Sequence, residues 1–223
     1  MTRLTTDQLI ASLAADLKPA RPLHPPAARL AIWMALALGT ATLGVVLLGP
    51  RANLAESVRS AAFLSRQGIA LLAGLLAASS ALVLGVPGAE RSTLQRAAPL
   101  FVMAVWLTML GAPLLADDAA ASRLAQAFEW ACAVRVTALA IPPGVALYVM
   151  LRRAAPLRAG WTGALAALGA AAVGAAAIQC VCPVDSPAHL LVAHALPVLV
   201  IAVAGILIGR LALRDELSVP QPS

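Results

Sequence analysis

The stretch GWTGALAALGAAAVGAAAIQ, residues 160–179, decides the fold. Its twenty residues carry no charge, and as a helix they would cross about 30 Å, the thickness of a bilayer's hydrocarbon core. Small residues recur through it at three- and four-residue spacing: Gly160, Gly163, Ala167, Ala170 and Gly174. Such a stripe lets neighbouring backbones approach closely, which drives association where lipid removes the usual hydrophobic force. The pattern predicts the buried helix of a bundle, with a plain compositional bias toward alanine as the alternative. Working outward, five more apolar runs cover about 30–48, 68–86, 97–115, 131–151 and 190–209. With 61% hydrophobic and 12% charged residues in 223, the chain lies outside the range of soluble domains. The expectation is an all-α, polytopic six-transmembrane-helix bundle preceded by a short cytoplasmic amphipathic helix. The chain then divides into a docking segment at 1–29, a membrane domain at 30–209 and a polar tail at 210–223.

Charge sets the topology. The net charge is +6, but only Lys18 is a lysine, and the arginines form no basic stripe with interleaved aromatics. Direct nucleic-acid binding is therefore not expected. With six spans both termini share one side, and that side holds 11 of the 16 basic residues against 5 opposite. The positive-inside rule places the termini in the cytoplasm. No cleavable leader is read, since the first apolar run begins only near Leu30. Trp33 is read near a membrane interface.

In residues 1–29, Thr5 and Gln8 match a capping box, with Leu4 able to staple onto Leu9. Leu9, Ile10, Leu13 and Leu17 then repeat at helical spacing as one narrow stripe. The helix should stop near Lys18, because Pro19 disfavours helical geometry in the residue before it. A proline-rich, semi-extended linker follows through Pro25-Pro26. A stripe of this kind can dock into a partner's groove, lie on a membrane or fray as a tail.

The chemistry is concentrated at CVCPVDSPAH, residues 180–189, with His194 and Pro197 beyond. Thiolate and imidazole suit soft and borderline metals, and thiols also exchange electrons. Cys132, at the start of the fourth span, shares the depth of Cys180 and Cys182, so it can pair with either one. A permanent staple is the ordinary reading of such a pair. Cys182, Asp185, His189 and His194 are the candidate metal ligands, although the spacing lacks the paired Cys-x-x-Cys of structural zinc sites. On a regular α-helix His189 and His194 fall about 140° apart, so His189 is the better ligand and His194 is expected to bond a carbonyl. Asp185 reads as the cap of the sixth span. Prolines 142, 143 and 197 should kink the fourth and sixth spans. No Ser/His/Asp set, phosphate loop or intramembrane carboxylate pair is present, which argues against an enzyme and against a proton-coupled transporter.

Residues 9–23 (LIASLAADLKPARPL), the six spans, and Cys182-Pro183-Val184-Asp185 with His189, His194 and Pro197 resemble the NrsF family of bacterial inner-membrane anti-sigma factors. The family's members are negative regulators of extracytoplasmic-function (ECF) sigma factors of the sigma-F type. The resemblance implies an ECF sigma factor as partner beside the lipid bilayer, held through Asp16, Leu17, Pro19, Arg21, Pro22 and Leu23. It also implies sensing of heavy metal or oxidant by outward cysteines at Cys132 and Cys182, with Cys180 as an extra thiol. Ala20 stands where the family pattern has Val. No resident cofactor is implied beyond a transient heavy-metal ion. From other classes, a membrane thiol oxidoreductase or a small heavy-metal permease using Cys180, Cys182 and His189 is the alternative.

Overall fold

A computed structural model describes residues 5–15, 23–86, 88, 93–154 and 156–213. Every regular element among them is helical. The first helix, α1 (Thr6–Ala15), opens with the expected reciprocal cap: Gln8 N–H donates to Thr5 Oγ1 at 3.3 Å, and Thr5 N–H to Gln8 Oε1 at 3.0 Å. Leu9 and Ile10 are exposed on it. Its expected stop near Lys18 and the Leu4 staple fall outside the described residues.

Six helices are long and apolar enough to cross a membrane, as the apolar runs require. The first is α2 (Pro26–Leu48), which starts on a proline, whose missing donor costs nothing in a first turn, and ends at Gly49 with φ +83°. A one-turn helix, α3 (Leu54–Ser57), leads to α4 (Ala61–Leu84). The second span thus begins seven residues before the expected 68, because Arg66 and Gln67 face polar partners rather than lipid. Next come α5 (Thr93–Gly111), continued by a 3-10 turn to Ala116, the short α6 (Ala120–Gln126) and α7 (Trp130–Arg152). The prolines at 142 and 143 lie inside α7, which stays one helix across them. The fifth span is α8 (Ala159–Gln179). The sixth is compound: α9 (Pro187–His189), a π-helical turn (Leu190–Ala195) and α10 (Leu196–Ala212). Pro197 is the second residue of α10, just beyond the π turn, and such turns are a recognised way to absorb a break in the helical ladder.

The bundle is built on α8. Of its span 83% is buried, against 50% or less in the other five. Small side chains are the cause. A Cβ on Gly163 would collide with the backbone of Gly205 and Gly209, and one on Gly174 would sit 2.8 Å from the Val136 carbonyl. A Cβ on Gly169 would sit 3.0 Å from the Gly74 carbonyl. So α10, α7 and α4 all meet α8 nearly backbone to backbone, and the buried-helix expectation holds over compositional bias.

Trp33 is a correction to the interfacial reading. It is 1% exposed, and its indole Nε1–H donates to the Pro143 carbonyl at 3.0 Å, tying α2 to the middle of α7. A buried indole needs such a partner.

Candidate functional site

Three connections meet at one end of the bundle: the α2–α4 connection, the segment between α5 and α7, and the turn from α8 to α9. The α8 helix ends at Gln179, and the turn that follows is fixed through its backbone, since Arg51 N–H donates to the Cys180 carbonyl at 3.0 Å. The Arg51 guanidinium then grips the same turn with both Nη atoms on the Asp185 carboxylate, and its Nε–H reaches Asn53 Oδ1 at 2.7 Å. Arg66 adds a second contact to Asp185 at 3.4 Å. The Arg51 side chain is 1% exposed, so this bridge is shielded on the arginine side. The guanidinium lies close by and donates to Asp185, which holds that carboxyl below the usual carboxylate range.

Asp185 is therefore not the cap of the sixth span, and its carboxylate is taken up by Arg51 and Arg66. Ser186 does the capping, its Oγ accepting from His189 N–H at 3.3 Å. Sequence reasoning assigned Arg51 only to a topology count. The one local hint was an arginine directly after Gly49-Pro50, far from any other basic residue of its loop.

Beneath the bridge, four side chains converge: Cys132 from the first turn of α7, Cys182 from the turn, His189 from α9 and His194 from the π turn. All four are buried, and one ligand atom from each lies within 4.8 Å of the others. The Cys132 and Cys182 sulfurs are 3.7 Å apart, and Cys182 Sγ is 3.3 Å from His189 Nε2. On its other side His189 Nδ1 lies 3.1 Å from the Ala127 carbonyl. A carbonyl only accepts, so Nδ1 carries a proton, and a second proton on Nε2 lets the ring donate to Cys182 when that sulfur is a thiolate. Burial opposes ionisation of Cys182, but hydrogen bonding, led by His189, outweighs it and brings the thiol down to about 5. The shift favours the thiolate, the form that reacts and binds metal.

His194 departs most from expectation. It is fully buried, and neither ring nitrogen has a hydrogen-bond partner among the described residues, so the expected carbonyl contact is not made. A buried polar group left in that state costs about 1–3 kcal/mol. The separation of 140° fails as well, because residues 190–195 wind as a π helix. Its bonds run from i to i+5, which is the spacing of the two histidines, and their rings meet edge to face at 5.3 Å.

Cys180, by contrast, stands apart. Its sulfur accepts from Gln67 Nε2 at 3.2 Å, and burial pushes its thiol up. The two alternatives for Cys132 thus resolve toward Cys182, with all three thiols free. At the other terminus, Asp16, Leu17, Pro19, Arg21 and Pro22 lie outside the described residues, and Leu23 is exposed.

The family described as NrsF, Negative regulator of sigma F, matches residues 13–214, nearly the whole chain. The chain belongs to the NrsF family. The matched region takes in the convergent cysteines and histidines and the segment 16–23. Neither a curated protein nor a solved structure matches the chain. As an NrsF member the protein is a multi-pass membrane protein and a negative regulator of a sigma factor, which is therefore its partner. That task is one of binding and points to a non-enzymatic role.

Proposed function

We propose that this protein is an anti-sigma factor of the bacterial inner membrane that holds an ECF sigma factor through residues 1–29 in the cytoplasm. It releases that factor when Cys132 and Cys182, facing the periplasm, react with heavy metal or oxidant. Asp16, Leu17, Pro19, Arg21, Pro22 and Leu23 are the contacts assigned to the sigma factor. The single observation that carries the reading is the buried pair of free thiols 3.7 Å apart. It lies at the end of the bundle opposite the start of α2, since five spans separate that start from Cys182.

The two sulfurs belong to segments that only tertiary structure joins. Cys132 rides on α7, and Cys182 on the turn that α8 and Arg51 hold in place. Any reaction drawing the sulfurs together pulls the first turn of α7 toward α8 and α9. From there α7 runs past Trp33 on α2, the helix that follows the docking segment and linker directly. A near-complete switch requires the two states to differ about 10⁴-fold in affinity for the sigma factor, or roughly 5.5 kcal/mol.

The test is a reporter driven by the partner sigma factor, in cells carrying the wild type, Cys132→Ser or Cys182→Ser. Both variants should keep the reporter repressed and abolish its induction by cadmium and by peroxide. Induction that survives both substitutions would sink the sensing role. In intact cells a membrane-impermeant maleimide should label a cysteine placed at the exposed Val184, on the turn of Cys182, and should label one placed at Ala14 only once the cells are opened. Labelling of both from one side would remove the need for any transmembrane signal.

A further inference from the structure

We propose that Cys132, Cys182, His189 and His194 form a four-ligand site for one divalent metal ion of borderline or soft character, Zn²⁺ or Cd²⁺. The proposal deepens the sensing reading above, and its regulatory meaning rests on it.

Geometry is the first support. A tetrahedral ion with metal–sulfur bonds of about 2.3 Å and metal–nitrogen bonds of about 2.0–2.1 Å sets its sulfurs about 3.8 Å apart and a sulfur and nitrogen about 3.5 Å apart. The sulfurs here are 3.7 Å apart, and Cys182 Sγ lies 3.3 Å from His189 Nε2. The remaining separations are within 4.8 Å, close enough for small side-chain rotations to complete the tetrahedron.

The second support is His194, whose two buried nitrogens have no partner among the described residues. Only the π turn brings that ring beside His189. Irregular turns of this type are frequent at functional sites, and here the irregularity places two ligands on one face. The third is the outer shell. The His189 Nδ1–H bond to the Ala127 carbonyl fixes the tautomer that leaves Nε2 free to ligate, the usual support for a metal-bound imidazole. Arg51 and Asp185 hold the turn that carries Cys182.

The donor set chooses the metal. Two thiolates with two imidazoles suit Zn²⁺ and Cd²⁺ and do not suit Mg²⁺ or Ca²⁺, which take oxygen. Asp185, on the same turn as Cys182, is committed to two arginines. Metal and disulfide also compete for the same two sulfurs. A hydroperoxide takes two electrons from the paired thiolates, one S–S bond forms, the peroxide O–O bond breaks to give water and an alcohol with uptake of two protons, and the ion leaves.

The test uses the full chain in lipid nanodiscs, reduced with a phosphine, titrated with Co²⁺. One equivalent should bind with the spectrum of tetrahedral thiolate-ligated cobalt, be displaced by Zn²⁺ or Cd²⁺ but not Mg²⁺, and be expelled by peroxide. Cys132→Ser, Cys182→Ser, His189→Ala and His194→Ala should each weaken binding by more than the roughly 10–100-fold that loss of an outer-shell partner brings. Cys180→Ser should leave stoichiometry, spectrum and affinity unchanged, whereas Asp185→Asn, in the outer shell, should keep the stoichiometry and weaken binding by no more than roughly 10–100-fold. His194→Cys guards against simple misfolding, since it should bind with added thiolate-to-cobalt absorption. Absence of stoichiometric tetrahedral cobalt in the wild type, or wild-type affinity in His194→Ala, would overturn the site. Tight binding in a protein whose cells ignore cadmium would uphold the site and overturn the sensing reading. A cellular response that needs Cys132 and Cys182, without metal uptake by the pure protein, would do the reverse.

Discussion

At the cysteine end, polar side chains are drawn inward and matched to one another: Arg51 with Asp185 and Cys182 with His189. At the end where α2 begins and α10 finishes, two long-range polar contacts go to backbone instead. Arg29 donates to the Leu82 carbonyl at 3.0 Å and Tyr148 to the Ala212 carbonyl at 3.1 Å, while α1 leaves Leu9 and Ile10 exposed. Backbone carbonyls at helix ends need donors wherever a helix stops, so the second pattern is what any bundle requires. The first is not, because clustered thiols and imidazoles stabilise a fold poorly when one of them lacks a partner. The difference sets the end proposed to take a small ligand apart from the end proposed to meet a protein.

Four experiments break or sharpen that contrast. The largest effect is expected from Gly209→Leu. Its side chain would have to enter the Ala159 backbone, which cannot yield as a side chain does. A cost at or above the upper end of the roughly 1–3 kcal/mol of overpacking should remove the protein from the membrane and derepress the sigma factor, seen on immunoblots. Normal accumulation would show that the two ends are not held together by α8. Next, deletion of residues 1–23 should derepress fully while the protein accumulates and keeps its cobalt site. Silence of the target genes in that strain would strike out docking at the exposed end.

A smaller effect is expected from Trp33→Phe. It removes the α2–α7 hydrogen bond, worth about 0.5–1.5 kcal/mol, so the inducer concentration for half response should shift by no more than about tenfold. No shift would place the coupling elsewhere than α2 and α7. The smallest concerns pH. The Asp185 carboxyl is depressed by Arg51, so its stabilising effect is complete above the unfolded value near 3.9 and is lost as pH falls through the lower folded value. Thermal unfolding in detergent should therefore separate wild type from Asp185→Asn: the variant, already without the charge, should lose less stability than wild type below about pH 4. Equal losses in both would leave the bridge without an energetic role.

Much of this was legible in the chain. Six spans followed from run length, since a hydrocarbon core admits little else, and the buried place of α8 followed from its glycine and alanine spacing. The capping box of Thr5 and Gln8 is a local interaction, so it too could be read directly. Span ends were less accurate where a polar residue such as Arg66 found a partner far along the chain.

What the sequence determined by itself was the set of helices, the helix that the others surround and the place where reactive side chains collect. These depend on periodicity and on solvation in lipid, which act over a few turns at a time. Only tertiary structure decided that Cys132 faces Cys182 rather than Cys180, that Arg51 pairs with Asp185, and that a π turn aligns His189 with His194. Each of these depends on contacts between residues distant in the chain, or on a winding that regular helical spacing does not foresee.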